Sequence, residues 1–259
     1  MQHSTGYIVG FAAAVCLVAS LFVAGSAVGL KERQEQNKLL DVQKKVLAVS
    51  DLIREGQDLS DAEISALYEA SIRPKAVDLK TGTLANDVDT ATYDQQAAAQ
   101  DPAKSYPAPP NASKVRRLPN RAVVFDVVED GEVKALVLPI EGYGLWGTLY
   151  GYLALAPDAR TIVGITFYQH KETPGLGGEV DNPRWKARWP GRLAFDDRGN
   201  PKISVKKGIA GSIEDDPYEV DGLSGATITS RGVTNMLRFW LGDDAFGPYL
   251  TSYRAQVGA

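Results

Sequence analysis

Asp221-Gly-Leu-Ser-Gly-Ala-Thr-Ile-Thr-Ser230 places glycines and hydroxyls together at the mouth of a helix. The residues that follow carry apolar side chains at Val233, Leu237, Trp240 and Leu241, with Met236 beside them, which is the i, i+4, i+7, i+8 stripe of a core-facing helix. The stripe predicts a helix that starts near Thr229 or Ser230. Gly222 and Gly225 let the entering chain take positive φ and approach a ligand closely. The free N–H groups of a first helical turn and the positive end of the helix dipole favour a phosphate there, which puts Thr227 beside it. An ordinary N-cap is the alternative reading of the same Ser, Thr and Asp cluster. No Lys follows the glycines as in a Walker loop, and the spacing is not Gly-x-Gly-x-x-Gly, so neither ATP nor NAD is the natural ligand.

The string resembles the flavinylation motif Asp-Gly-x-Ser/Thr-Gly-Ala-Thr of the membrane-bound FMN-binding subunits of bacterial respiratory complexes, and it matches every motif position. The resemblance implies that Thr227 carries FMN through a phosphoester on its side-chain oxygen, installed by a separate flavin transferase. Such a link leaves the isoalloxazine ring unmodified and free for redox work.

Two further stretches support the resemblance. Gly142-Tyr-Gly-Leu-Trp-Gly-Thr-Leu-Tyr-Gly151 and His170-Lys-Glu-Thr-Pro-Gly-Leu-Gly-Gly178 are, each alone, tight turns with an aromatic or a proline. Together with the Thr227 motif they resemble the FMN-binding domain of that family over nearly the whole chain. Residue by residue, the resemblance implies that Glu172, Thr173, Leu176 and Gly177 contact the isoalloxazine ring, that Leu145 and Trp146 form its environment, and that Ser224, Gly225 and Thr229 surround the phosphate. Lys207 matches a lysine near the flavin, with Lys206 one position away as the competing assignment. A cation there stabilises negative charge on reduced flavin and raises its potential; a solvated lysine is the alternative.

The family has two branches, the NqrC proteins of sodium-translocating NADH:quinone reductases and the RnfG proteins of Rnf ferredoxin:NAD oxidoreductases. Gly144-Leu-Trp-Gly-Thr-Leu-Tyr-Gly-Tyr152, Gly177-Gly-Glu-Val-Asp-Asn-Pro-Arg-Trp185 and Phe239-Trp-Leu-Gly-Asp-Asp-Ala-Phe-Gly-Pro-Tyr249 resemble the first. That branch implies a subunit that relays electrons between an iron-sulfur centre and the flavin of a partner subunit. It also implies a surrounding complex that oxidises NADH, reduces ubiquinone and pumps sodium, and a subunit expected to bind none of the three by itself. The alternatives are an Rnf-type electron carrier and a membrane-tethered structural or binding module without covalent flavin.

Tyr7 to Leu30 is free of charged residues and is followed by Lys31-Glu-Arg33. As a helix it reaches roughly 33 to 36 Å, enough for a hydrocarbon core of about 30 Å. A cleaved signal peptide is the other reading of Ala24-Gly-Ser-Ala27, but the amino end lacks a basic n-region and the apolar run exceeds an h-region. The expectation is a retained single-pass anchor in a bacterial inner membrane. Lys31 and Arg33 by themselves place the following domain in the cytoplasm; the resemblance implies a periplasmic domain, and we follow it. The single cysteine, Cys16, lies in the apolar run, so the remainder cannot form a disulfide or ligate a metal through sulfur.

Leu39, Val42, Val46, Val49 and Ile53 recur at helical steps, which predicts one amphipathic helix over residues 31 to 55 continuing from the anchor. Ser60-x-x-Glu63 is a capping box opening a helix to about Ile72, ended by Pro74. Residues 85 to 121, with an Ala/Gln tract and Tyr106-Pro-Ala-Pro-Pro-Asn, read as an extended surface loop with room for a short helix. Beyond it, Val123 to Val128 and Val133 to Leu138 flank Asp130-Gly131, Tyr150 to Leu155 and Ile162 to Tyr168 flank Pro157-Asp158, and Asp197-Arg-Gly-Asn200 reads as a third turn. Short turns predict a mostly antiparallel sheet with helices on its faces, an α+β fold. The expected organisation is an anchor at 1-30, a connecting region at 31-121 and an FMN-binding domain at 122-259.

Other chemistry finds little support. His3 and His170 are the only histidines, too few for a His-based metal site or a Ser-His-Asp triad. A net charge of -4 with scattered Lys and Arg argues against nucleic acid, and Asp215-Asp216 reads as a solvated turn.

Overall fold

Asp130 and Gly131 adopt φ of 53° and 82°, the paired positive values a two-residue hairpin turn requires. In the computed structural model, which describes residues 4–54 and 56–257, they join β5 (Arg121–Glu129) to β6 (Glu132–Tyr143). His3 and the first residues of the expected anchor lie outside the described residues. The second expected hairpin is also present, as β7 (Thr148–Leu155) and β8 (Ile162–Gln169). The turn at 197–200 is built on Asp196, whose carboxylate accepts from the backbone N–H groups of Arg198 and Asn200.

The remaining elements, in chain order, are α1 (Thr5–Val49), α2 (Asp61–Ser71), β1 (Ile72–Asp78), β2 (Leu84–Ala85), α3 (Gln95–Gln100), β3 (Ser105–Pro107), β4 (Arg117–Pro119), a 3-10 turn (Gly177–Asp181), α4 (Pro183–Lys186), β9 (Ser204–Val205), β10 (Glu219–Val220), α5 (Thr227–Leu241) and α6 (Gly247–Val257). The main sheet has the order β2-β1-β5-β6-β7-β8 and is antiparallel throughout. This is the α+β architecture the turns predict. β3 pairs with β4, and β9 with β10.

The chain divides into two units, the first ending at Val42 and the second starting at Gln43. In the first, α1 is long and apolar enough over Thr5–Lys31 to cross a membrane, and Phe11, Leu17, Leu21 and Phe22 are exposed. The helix runs without a break past Lys31 but stops at Val49 rather than at 55. Asp51 takes φ of 63°, and Leu52 N–H donates back to the Leu47 carbonyl at 3.0 Å, a left-handed C-cap. Of the expected stripe, Val46, Val49 and Ile53 are buried, whereas Leu39 is half exposed.

In the second unit one face of the sheet, through Leu136, Leu138, Ile140, Leu153, Ile165 and Phe167, shares a core with Val233, Met236, Leu237 and Trp240 of α5. The stripe read from the sequence is therefore the packing face. Val123, Phe125, Val127, Val137, Tyr152 and Ala154 alternate with that set and are also buried, so both faces of the central strands are covered. Gly164 of β8 approaches the last turn of α1 so closely that a Cβ would stand 2.5 Å from the Val49 carbonyl oxygen.

Two expectations differ from the structure. The capping box at Ser60 and Glu63 forms, but α2 runs directly into β1, and Pro74 lies within that strand instead of ending the helix. Proline is tolerated because β2 covers the outer side of β1 only at Ala76 and Val77, leaving an edge beside Pro74. The stretch from 85 to 121 holds the short helix allowed for it, but also a strand pair where an extended loop was expected. Its Ala/Gln tract is α3, capped by the Asp94 carboxylate on Ala97 N–H, and Tyr106 pairs with Leu118 across β3 and β4.

Candidate functional site

The chain enters α5 through Gly225, at φ 69°, and Ala226, the residue in the N-cap position. Ala has no side-chain acceptor, and no side chain caps this helix. The helix starts at Thr227, two residues before the predicted start, because the motif's hydroxyls are not used as a cap. Ser230 instead turns inward and its Oγ accepts from Leu223 N–H at 3.1 Å, folding the motif loop back on the first turn. Ser224, Gly225, Thr227 and Ile228 are exposed; Leu223, Ala226, Thr229 and Ser230 are buried. Thr227 thus stands on the open side of an uncapped helix end, where backbone N–H groups and the helix dipole favour negative charge.

Asp221, at the head of the motif, holds the surrounding loops in place. Its Oδ1 accepts from Ala210 N–H at 2.9 Å, Arg188 Nε is 3.6 Å from Oδ2, and Trp185 Nε1 donates to its carbonyl at 2.8 Å. Trp185 closes one of the stretches quoted above, but its contact with Asp221, 36 residues away, and that of Arg188 have no signal in the sequence.

Three other loops meet at this end of the sheet. The turn after β6 closes through Gly144 N–H to the Gly147 carbonyl at 2.8 Å, and leaves Leu145 and Trp146 at its tip, Trp146 with 62% of its surface exposed. After β8, the Thr173 carbonyl accepts from Leu176 and Gly178, forming a turn with Gly175 at φ 75°. Thr173 and Leu176 are exposed, and Leu176 lies over Gly225, where a Cβ would meet its Cδ2 at 2.9 Å. On the third loop, Lys206 is paired with Asp216 at 3.1 Å and Glu219 at 2.7 Å. These partners raise the Lys206 pKa, chiefly through the hydrogen bond to Glu219 and then that to Asp216. Lys207 is exposed beside Gly208, whose carbonyl accepts from Gly222 N–H at 2.7 Å within the motif.

Ser224, Gly225, Thr227, Leu176, Thr173, Leu145, Trp146 and Lys207 are therefore carried on adjoining exposed loops. Glu172, Gly177 and Thr229 are placed differently, as a buried cluster. Glu172 is 5% exposed, its Oε1 accepting from the N–H groups of Leu145 at 3.0 Å and Trp146 at 2.9 Å. The Thr229 hydroxyl, fully buried, donates to Oε2 at 2.5 Å. Gly177 is in contact with both, since a Cβ there would come within 2.5 Å of Oε2 and 2.6 Å of the Thr229 hydroxyl. These polar atoms face one another rather than the open side where Thr227 stands.

Among the described residues of the second unit, every exposed large apolar side chain except Leu84 and Val257 is on these loops, at the end of β6 or on the first turn of α5. They are Tyr143, Leu145, Trp146, Leu176, Ile209, Ile213 and Ile228. An anion-favouring helix end, with exposed apolar and aromatic side chains on the loops at the same end of the sheet, fits a planar ligand with a phosphate tail.

Fold and site define an FMN-binding domain: the family model of that description matches residues 144–242. The likeness to known proteins extends beyond this segment. The chain is 46% identical over 259 residues, covering 98% of it and 97% of the other, to the C subunit of the Na(+)-translocating NADH-quinone reductase of Pseudomonas aeruginosa. It is 42% identical to the Yersinia pestis protein of the same name, with 93% and 90% covered. Among solved structures, the crystal structure of Shewanella oneidensis NqrC matches with a TM-score of 0.77 at 34% identity, over 86% of this chain and 99% of that one. The equivalent C subunit from Parabacteroides distasonis matches with a TM-score of 0.65 at 29% identity, over 86% and 97%. The chain belongs to the NqrC family, the C subunits of Na(+)-translocating NADH-quinone reductases.

Proposed function

We propose that this chain carries FMN covalently on Thr227, through a phosphoester to its Oγ1, and relays electrons inside a sodium-translocating NADH:quinone reductase. The observation that carries this reading is the uncapped start of α5, with Thr227 exposed on it and Leu176 lying over the adjoining Gly225. The first-turn N–H groups and the dipole of α5 hold the phosphate diester, and Gly225 allows the close approach. Leu145, Trp146 and Leu176 supply apolar surface for the ring, with Thr173 on the same turn and Ser224 beside the phosphate. Lys207 provides the nearby cation, because Lys206 is already neutralised by two carboxylates. Bound FMN supplies one- and two-electron chemistry; the protein's part is to hold and orient it.

Electrons pass between an iron-sulfur centre and the flavin of a partner subunit, and the complete reaction needs those other subunits. A separate flavin transferase installs the cofactor. We assign the second unit to the periplasm, with α1 as its membrane anchor. The second unit contains no cysteine, which suits that oxidising compartment.

The test is the full chain co-expressed with an active flavin transferase. The denatured chain is expected to fluoresce on a gel under ultraviolet light and to gain the mass of FMN minus water, and Thr227→Ala to abolish both. A colourless chain of unmodified mass refutes the reading.

A further inference from the structure

We infer that Glu172 is a positioning residue: its buried carboxylate ties the loop bearing Leu145 and Trp146 to the first turn of α5, and so sets the spacing of the surfaces around Thr227. An ionised carboxylate only accepts hydrogen bonds, and its two oxygens can serve donors from two directions at once. Here Oε1 takes two consecutive backbone amides of the β6–β7 turn, and Oε2 takes the Thr229 hydroxyl of α5. Charge-assisted bonds of this kind are about twice as strong as neutral ones, and at 5% exposure little water competes for them.

The glycines around it match this role. A Cβ at Gly144 would come within 2.6 Å of Oε1, and one at Gly177 within 2.5 Å of Oε2. Both positions must lack a side chain for the carboxylate to reach its donors. The base of the loop is held as well: Glu172 N–H donates to His170 Nδ1 at 3.2 Å, which leaves Nε2 as the protonated nitrogen facing Asp181 Oδ2 at 2.8 Å. A single carboxylate thus connects three segments far apart in sequence, and the loop that bears it also carries Leu176 over Gly225, two residues before Thr227.

The flavin part of this inference rests on the function proposed above; the loop part does not. The experiment uses the full chain with and without flavin. In the flavin-free chain, Glu172→Ala is expected to speed amide hydrogen exchange at Leu145 and Trp146 by about tenfold or more, since each amide loses a charged acceptor. Glu172→Gln is expected to keep most of the protection, because its carbonyl oxygen still accepts both amides and the Thr229 hydroxyl can turn to accept from its NH2. In the flavin-loaded chain, Glu172→Ala and Thr229→Val are expected to reduce the visible circular dichroism per covalently bound flavin, with Thr229→Ser restoring it. The double variant is expected to lose no more than Glu172→Ala alone. Unchanged exchange at both amides in Glu172→Ala overturns the inference, as do additive losses in the double variant. If Glu172→Ala does not fold, unchanged flavin dichroism in Thr229→Val overturns it. If the wild-type chain takes up no flavin, the proposed function fails while the exchange measurement still decides the role of Glu172.

Discussion

Gly232 is a helix-interior glycine, and by propensity alone Gly232→Ala stabilises α5 by about 1 kcal/mol. The tertiary structure predicts the opposite sign. A Cβ at Gly232 would stand 2.5 Å from the Tyr143 carbonyl oxygen, 3.1 Å from Gly144 Cα and 3.3 Å from the Tyr143 carbonyl carbon. All three are backbone atoms, so no side chain can rotate out of the way. They also belong to a tied segment: Tyr143 N–H donates to the Ser113 carbonyl, and Gly144 N–H to that of Gly147, both at 2.8 Å. Relief requires α5 and the end of β6 to separate by several tenths of an ångström, which loosens Met236 from Gly142, one turn further along the same contact. Overpacking of this kind costs about 3 kcal/mol when neither side can give. Subtracting the helix gain leaves a net loss of about 2 kcal/mol, or a fall in Tm of roughly 4 to 8 °C for a unit of this size. The assay is thermal unfolding of the full chain in detergent, with Gly147→Ala as control. The nearest atoms to a Cβ at Gly147 belong to the Lys171 side chain, at 3.4 Å or more, so the control is expected to stay near the wild-type Tm. A Gly232→Ala chain at or above the wild-type Tm would falsify the packing argument.

Two further outcomes follow from Glu141, which is partly buried, and Arg192, which is buried. Burial lifts the Glu141 carboxyl from its ordinary 4.5 to about 7. Between those pH values the folded chain holds a proton that the unfolded chain has released, so this residue's contribution is complete below pH 4.5 and is lost as pH rises through 7. Glu141→Gln is expected to flatten that fall in denaturant titrations at pH 4, 6 and 8; an unchanged pH slope rejects the assignment. Arg192, 6% exposed, donates to the carbonyls of Gly211, Ser212 and Asp216 and so closes the loop next to Lys207. A lysine donates from a single nitrogen and cannot stand where both Nη1 and Nη2 do, and Arg192→Lys is expected to cost about 2 kcal/mol. Limited proteolysis within 209–216 should speed up accordingly, and an unaltered cleavage rate there would contradict the clamp.

The features legible in the sequence are those set by neighbours in the chain. Asp130-Gly131 supplies the positive φ values of a hairpin wherever it occurs, and Ser60 with Glu63 satisfies a helix start locally. The stripe Val233, Leu237, Trp240, Leu241 needs only a 3.6-residue period to declare its buried side. Even the phosphate-favouring character of the Thr227 motif is local, since it arises from glycines and the first turn of one helix.

What the chain order conceals is decided by contacts across the fold. Pro74 reads as a helix stop, yet it sits in β1 because β5 offers a strand to pair with and the outer edge beside it is uncovered. Leu39 and Val46 share one helical stripe, but only Val46 is buried, since a period says which residues share a face and not what covers it. Lys206 and Lys207 are indistinguishable as letters; Asp216 and Glu219 engage the first and leave the second exposed. Glu172 and Thr229 are 57 residues apart, and their hydrogen bond exists only because the β8 loop and α5 converge at one end of the sheet. The sequence by itself determined the local conformations and the chemistry available at Thr227, because these depend on residues a few positions apart. Which of the candidate residues face outward with Thr227, and which are buried beneath as supports, was decided by the tertiary structure, because burial and partner choice depend on segments that meet only after the sheet has formed.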